Sequence, residues 1–241
     1  MALLLDALLQ DGVEEQVAVL LAREPALHVS LDDPSGVATL MEMLRTAGAE
    51  EQVAVLLARE PALHVSLSDP VTVGRLLYAL RTLGEDRQAA ALIARDPATH
   101  VPIDDGFAVG MLLDGLREAG ADGQADVLAE RAATGTSLDD PSNVARLLQA
   151  LRRAGADNAA AKLLARNPAE HVPINNSDAV QSLLRVLRQE RVEGQVATLT
   201  DRLSAAGLFR LLSTAAPAGR FVFGREPDGS PAGPWGWDDI M

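Results

Sequence analysis

The sequence predicts an all-α protein: a right-handed α-solenoid of about six two-helix repeats with a Gly-, Pro- and Trp-containing C-terminal capping tail. The main observation is an internal repeat, because EEQVAVLLAREPALHVSL at residues 14–31 recurs unchanged at residues 50–67, a shift of 36. A loop position also stays apolar along the chain, as Leu31, Leu67, Ile103, Leu138 and Ile174. Helix start and stop signals recur at matching places. The right hand follows by analogy with other helical solenoids.

The first helix of each repeat, called helix A below, has clear boundaries in the sequence. In the second repeat, Asp33-Pro34 predicts its start, because Asp can accept hydrogen bonds from free N–H groups and Pro suits the first helical position. Apolar residues at positions 37, 40, 41 and 44 form one stripe. Gly48 is predicted to end the helix in the left-handed conformation, as are Gly84, Gly120 and Gly155 in later repeats.

The second helix, helix B, is predicted to begin near Glu50 and to be stopped by Pro61. An extended link over residues 64–68 then leads to the next repeat. Each helix pair has one apolar side that a single repeat cannot bury, so stacked neighbours are expected to share one core.

These signals place the helical repeats at residues 3–212. The expected repeat bounds are about 3–32, 33–68, 69–104, 105–139, 140–175 and 176–212. Residues 213–241 form an irregular tail that holds both tryptophans, Trp235 and Trp237. Disordered segments use few aromatic residues, so we expect the tail to cap the open end of the stack; a flexible tail is the alternative.

The helix–turn–helix unit of about 36 residues resembles tetratricopeptide-like and HEAT-like repeats, although it lacks the Trp, Tyr and Phe signature of the former. Ala47-Gly48, the apolar helix B and Val65 in the link give it a faint resemblance to ankyrin repeats. The Leu-Arg-x-Ala-Gly-Ala rhythm and the tail ending Trp-Gly-Trp-Asp-Asp are similar to C-terminal repeat arrays of actinobacterial multidomain proteins. That similarity implies a sensor or partner-binding array.

Composition narrows the functional classes. The net charge is −13, whereas a nucleic-acid or anionic-membrane binder needs a basic surface, so neither partner is expected. With no cysteine, disulfides, thiolate catalysis and cysteine-based zinc sites are excluded. No apolar run is long enough to span a membrane and no signal peptide is recognisable, so the cytoplasm is the expected location. We expect no cofactor and no metal.

Two kinds of residue recur at fixed repeat positions. The histidines His28, His64, His100 and His171 occupy one of them. Neighbouring repeats are spaced too widely for two such rings to share a metal, so we expect each to close the link onto a helix end by a hydrogen bond. One arginine ladder comprises Arg23, Arg59, Arg95, Arg131, Arg166 and Arg202, and a second comprises Arg45, Arg81, Arg117, Arg152 and Arg188. Salt bridges to the acidic caps or carbonyl contacts between repeats are expected, rather than phosphate binding.

The positions that vary between repeats on one face of helix A are the candidate partner-binding residues. They are Thr39, Glu42, Arg75, Tyr78, Met111, Asp114, Arg146, Gln149, Arg153 and Arg185. Repeat proteins place varied side chains on extended binding surfaces, and Arg and Tyr are common in binding hot spots. A solvated face that has simply drifted in sequence is the alternative reading.

The sequence contains no phosphate loop, His-Glu-x-x-His or Gly-x-Ser-x-Gly motif, and its paired carboxylates recur as helix caps. We therefore expect no catalytic residues and a non-catalytic protein- or peptide-binding repeat scaffold. The alternative is a sensor or regulatory array of a larger multidomain protein whose effector domain is absent from this chain. End-to-end self-association of the repeats is a further possibility.

Overall fold

A computed structural model describes Ala7, residues 13–208 and Gly233. Every regular element in this part of the chain is a helix, and no strand occurs in it. The predicted capping tail, residues 213–241, lies outside the described residues apart from Gly233, as does most of the first helix A.

Three kinds of helix alternate. The A helices, of 13 residues each, are α3 (Pro34–Thr46), α6 (Pro70–Thr82), α9 (Gly106–Glu118), α11 (Pro141–Arg153) and α14 (Ser177–Gln189). The B helices are α1 (Glu14–Leu21), α4 (Glu50–Ala58), α7 (Asp86–Ala94), α10 (Asp122–Gly135), α12 (Asp157–Ala165) and α15 (Glu193–Ala205). Between them lie one-turn helices of four residues: α2 (Pro25–His28), α5 (Pro61–His64), α8 (Pro97–His100) and α13 (Pro168–His171).

The one-turn helices were not predicted: each lies between helix B and the link, and the non-helical link of the second repeat begins after His64. The residue before each proline, such as Glu60 with φ 51°, takes the left-handed conformation and redirects the chain. Pro61 then starts a new helical turn, because its fixed φ suits the first helical position. The fourth repeat has Ala133 where Pro97 stands in the third, and there helix B continues unbroken to Gly135.

The predicted starts of the A helices are confirmed, although the side chain of Asp33, the cap predicted for α3, makes no capping hydrogen bond. Asp69 Oδ1 accepts a hydrogen bond from Val71 N at 3.0 Å, and Asp105 Oδ1 accepts one from Phe107 N at 2.8 Å. Asn176 caps α14 by accepting from Ala179 N at 3.2 Å. These side chains satisfy N–H groups that have no partner within the first helical turn.

The predicted left-handed ends are confirmed as well, at Gly48, Gly84, Gly120 and Gly155, with φ between 65° and 74°. The sixth repeat places Arg191 there instead, with φ 56°. A side chain with a Cβ atom is strained in this conformation, so the α14–α15 turn is less favourable than its equivalents.

The apolar stripe of helix A forms the core. Leu40, Met41 and Leu44 are fully buried in α3, and the matching leucines of α6 and α9 are buried in the same way. In chain order, α3, α6 and α9 pack as neighbours. Two glycines let α6 and α9 come close, because a Cβ atom on Gly74 would lie 2.8 Å from Met111 O and one on Gly115 would lie 3.1 Å from Gly74 O.

The described residues form two compact units. One comprises residues 13–136 and 146–162, and the other comprises residues 137–145 and 163–208. The first unit holds α1–α10, and within the second α14 packs on α15.

Gly74→Ala should reverse the usual effect of replacing a helical glycine. Ala ordinarily stabilises a helix interior by about 1 kcal/mol over Gly, but here the added Cβ meets the backbone of α9. We expect the free energy of unfolding to fall by about 1–3 kcal/mol. Gly123→Ala is the matched control, since a Cβ there meets nothing within 4 Å. Urea unfolding followed by circular dichroism measures both, and equal effects would contradict the close approach of α6 and α9.

Arg191→Gly should raise the free energy of unfolding by about 0.5–1 kcal/mol, because glycine adopts a positive φ without steric strain. Arg191→Ala removes the same exposed side chain but keeps the Cβ, and it should leave stability nearly unchanged. If both variants shift the thermal midpoint equally, the effect belongs to the arginine side chain and not to the backbone.

Candidate binding surface

Neighbouring repeats join through a contact that recurs four times. Each one-turn helix packs on the helix B that follows it: α2 on α4, α5 on α7 and α8 on α10 in the first compact unit, and α13 on α15 in the second. Each of these B helices has Gln as its third residue and Arg seven positions later. We call this pair the Gln–Arg clamp.

The clamp binds the main chain of the one-turn helix. In α4, Arg59 Nη1 donates to Ala26 O at 2.6 Å and Arg59 Nη2 donates to Val29 O at 2.8 Å. Gln52 Oε1 accepts from Ala26 N at 3.3 Å. In α15, Arg202 donates to Ala169 O at 2.7 Å and Val172 O at 2.9 Å. The side chains thus satisfy polar groups that a single helical turn leaves without partners.

The glutamine also caps the preceding helix B. Gln88 Nε2 donates to Leu57 O at 2.8 Å, and Gln195 Nε2 donates to Leu164 O at 2.7 Å. One Gln side chain therefore spans the junction between a helix end and the next helix start. The glutamine ladder was missed in the sequence, although its regular recurrence is visible there: Gln16, Gln52, Gln88, Gln124 and Gln195.

Of the two interactions expected for the first arginine ladder, carbonyl contact between repeats is confirmed for Arg59, Arg95, Arg131 and Arg202. These four hydrogen bonds end on backbone carbonyls and not on the acidic caps of helix A. Burial lowers the pKa of Arg95, since the neighbouring repeat removes water from its guanidinium.

Three members of the second ladder, Arg81, Arg117 and Arg152, form ion pairs within a repeat, where contacts between repeats were expected. Arg117 pairs with Asp122 at 2.9 Å and with Asp126 at 2.6 Å, and Arg152 pairs with Asp157 at 2.6 Å. Arg81 pairs with Asp86 in the same way. The hydrogen bond with Asp122 is the main cause that raises the pKa of Arg117. These pairs connect the end of helix A to the first two turns of its own helix B.

Several predicted partner-binding residues pair with each other across neighbouring A helices. Arg75 Nη2 lies 3.2 Å from Thr39 Oγ1 and 3.3 Å from Glu42 Oε2, connecting α6 to α3. Arg153 forms a two-point pair with Asp114, at 2.6 Å and 3.2 Å, connecting α11 to α9. These residues brace the face of the helices, a role that the sequence reading did not assign to them.

The other candidates are more open. Tyr78 is 53% exposed and lines a cavity of about 220 Å³ between α3 and α6, beside Met41, Met43 and Thr82. Arg146 and Gln149 are exposed on α11, and Met111 is half-buried on α9. Arg185 is exposed on α14, which belongs to the other compact unit.

A second, polar cavity of about 670 Å³ lies among Arg117, Asp126, Glu130, Asp157 and Lys162 in the first compact unit. Its charges are paired: Lys162 with Glu130, and Arg117 with Asp126. The charged side chains that line this cavity therefore already neutralise one another in pairs.

All four histidine rings are exposed. His100 Nδ1 lies 2.9 Å from Asp96 O, a hydrogen bond within its own helical turn. In the described part of the chain, no group of three or more His, Cys, Asp or Glu residues is arranged to hold a metal ion. None of the helices there is long and apolar enough to cross a bilayer.

No protein-family model, no curated protein and no solved structure matches this chain significantly.

Arg59→Ala should lower the free energy of unfolding by about 2 kcal/mol, because two partly buried carbonyls lose charged donors. Arg23→Ala provides a matched control, since Arg23 occupies the same repeat position within an identical 18-residue sequence but is exposed. We expect Arg23→Ala to change the free energy of unfolding by less than about 0.5 kcal/mol. Urea unfolding compares the two, and equal losses would show that the clamp is not what stabilises α2 on α4.

Proposed function

We propose that this chain is a non-catalytic scaffold that binds a protein or peptide partner on the exposed face of its A helices. In this proposal the helices stack as a right-handed α-solenoid of tetratricopeptide-like or HEAT-like repeats, and the compartment is the cytoplasm. The observation that carries the proposal is the cavity of about 220 Å³ with the exposed ring of Tyr78 at its wall.

The size of this cavity favours a peptide side chain over a free small molecule. Ligand pockets for whole small molecules usually enclose about 300–1,000 Å³. A cavity of about 220 Å³, lined by the half-buried Met43 and the exposed Tyr78, suits one apolar side chain of a larger partner. Methionine adapts its shape to different side chains, and tyrosine contributes a large rigid contact area.

The ion pair and the hydrogen bond made by Arg75 beside the cavity support binding without rearrangement. Arg75 connects α6 to Thr39 and Glu42 of α3, the two helices that form the cavity walls. Helices held in this way lose little freedom when a partner binds, which favours affinity. On this view Arg75 and Glu42 position the walls, while Tyr78 makes the apolar contact.

The charge of the chain also favours a protein or peptide. Arg75, Arg117 and Arg153 are each engaged with at least one carboxylate, and the net charge is −13. A polyanion would meet no surplus of positive charge, whereas a peptide with an apolar anchor does not need one.

Tyr78→Ala should weaken peptide binding about tenfold or more, because the exposed ring supplies most of the apolar contact area at the cavity. Peptides that bind the full chain would be selected from a random library, and their affinities for each variant measured by fluorescence anisotropy. Phe107→Ala is the matched control, since Phe107 is an equally exposed aromatic residue, at 56%, that does not line the cavity.

Selected peptides that share an apolar residue, bind wild type and Phe107→Ala alike, and lose affinity for Tyr78→Ala would support the proposal. It fails if the library yields no saturable binder, or if the two alanine variants lose affinity equally. Circular dichroism confirms that each variant keeps its helical content.

A further inference from the structure

The Tyr78 cavity has a cation in its lining that forms no ion pair within the described part of the chain. Arg45 lines the cavity from α3 and is exposed. The equivalent arginines of α6, α9 and α11 each pair with the aspartate that begins their own helix B. In the second repeat that position holds Glu50, and no carboxylate among the described residues pairs with Arg45. The guanidinium of Arg45 is therefore available to a ligand.

The other polar groups of the lining are already engaged. Glu42 Oε2 lies 3.3 Å from Arg75 Nη2, so the acidic residue of the lining is neutralised by a neighbour. The hydroxyls of Thr46 and Thr82 donate to carbonyls of their own helices, each at 2.9 Å. The cavity thus combines an apolar wall with one uncompensated positive charge, from Arg45. One such charge suits a single carboxylate, whereas a polyanion needs several.

The carboxylate that fits this site belongs to a side chain and not to a chain terminus. Terminal carboxylates are captured by free backbone N–H groups gathered in a nest. The walls of this cavity come from the later turns of α3 and α6, where backbone N–H groups bond to carbonyls of the same helix. Arg45 remains as the donor, and its planar guanidinium can hold one side-chain carboxylate by two parallel hydrogen bonds.

We propose that the partner segment carries an aspartate or glutamate beside its apolar anchor, with the anchor in the Tyr78 cavity and the carboxylate on Arg45. This inference rests on the proposed function and specifies the partner of that same site. The apolar side chain supplies most of the affinity. The acidic side chain fixes the direction in which the segment crosses the two helices, because the cation lies on the α3 side of the cavity.

The test uses the peptides selected from the random library, synthesised with amidated C-termini so that no terminal carboxylate is present. We expect them to share an aspartate or glutamate at a fixed distance from their apolar residue. Arg45→Ala should weaken their binding about threefold to fivefold, because a solvent-exposed ion pair contributes modestly. Replacing the peptide's acidic residue by its amide should cause the same loss with wild type and none with Arg45→Ala, as expected for two groups that interact.

Arg81→Ala is the matched control. It removes the same charge from the equivalent position of the next repeat, where the arginine pairs with Asp86 and does not line the cavity. The affinity of the peptides for Arg81→Ala should equal that for wild type. Reversing the charge gives a second check, since Arg45→Glu should select peptides with lysine or arginine at the position where wild type selects an acidic residue.

The outcomes separate this inference from the proposed function. Peptides that lose affinity for Tyr78→Ala but bind Arg45→Ala as they bind wild type, or that share no acidic residue, would overturn the inference and leave the Tyr78 contact standing. Equal losses in Arg45→Ala and Arg81→Ala would overturn it too, because the effect would then come from the charge of the whole chain. A peptide without Asp or Glu that needs both Arg45 and a free C-terminal carboxylate would assign the cation to a chain terminus and overturn it. If no peptide binds saturably, both proposals fail.

Discussion

The structure depends on the hydrogen bonds that each Gln–Arg clamp makes to the main chain of the preceding repeat. A four-residue helix can satisfy few of its own polar groups, and in α2 one turn is closed by the backbone bond from Val29 N to Pro25 O, at 3.1 Å. Arg59 and Gln52 supply the missing partners from the next repeat. A one-turn helix and the helix B that follows it are therefore one structural element, although each sequence repeat ends between them.

Apolar packing and polar contacts contribute differently to the A helices and the B helices of each repeat. The A helices pack through leucine and small residues, and at Gly74 and Gly115 they approach almost to backbone contact. The B helices also bind the preceding turn through directed hydrogen bonds, such as the one from Arg95 to Ala62 O. Apolar packing tolerates exchange of similar residues, whereas the clamp requires Gln and Arg geometry. The Gln and Arg ladders of the B helices recur in line with this requirement, whereas the residues of helix A that vary between repeats lie outside its leucine core.

Features set by local chemistry could be predicted from the sequence. Asp69, Asp105 and Asn176 cap helix starts, and glycines end the A helices, because each depends only on residues one turn away. The one-turn helices were missed because Pro61 was read only as a stop signal, whereas the turn that it starts is completed by Gln88 and Arg95 of the next repeat. Likewise, nothing in the sequence gives the offset of 33 residues at which Arg75 meets Glu42. The varied face was recognised, but which of its residues pair with each other requires the three-dimensional arrangement.

The chemistry of the clamp bears on how such a gene can grow. Arg59 and Arg202 bind backbone carbonyl groups, which every residue has. The preceding repeat needs to supply only a proline, a small side chain and a valine in its one-turn helix. A duplicated repeat can therefore pack on the repeats before and after it without compensating substitutions in them. The unchanged 18-residue stretch at residues 14–31 and 50–67 is the record that unequal recombination would leave in such a gene. Array length in this architecture is accordingly free to change by whole modules, while the outward-facing residues diverge independently.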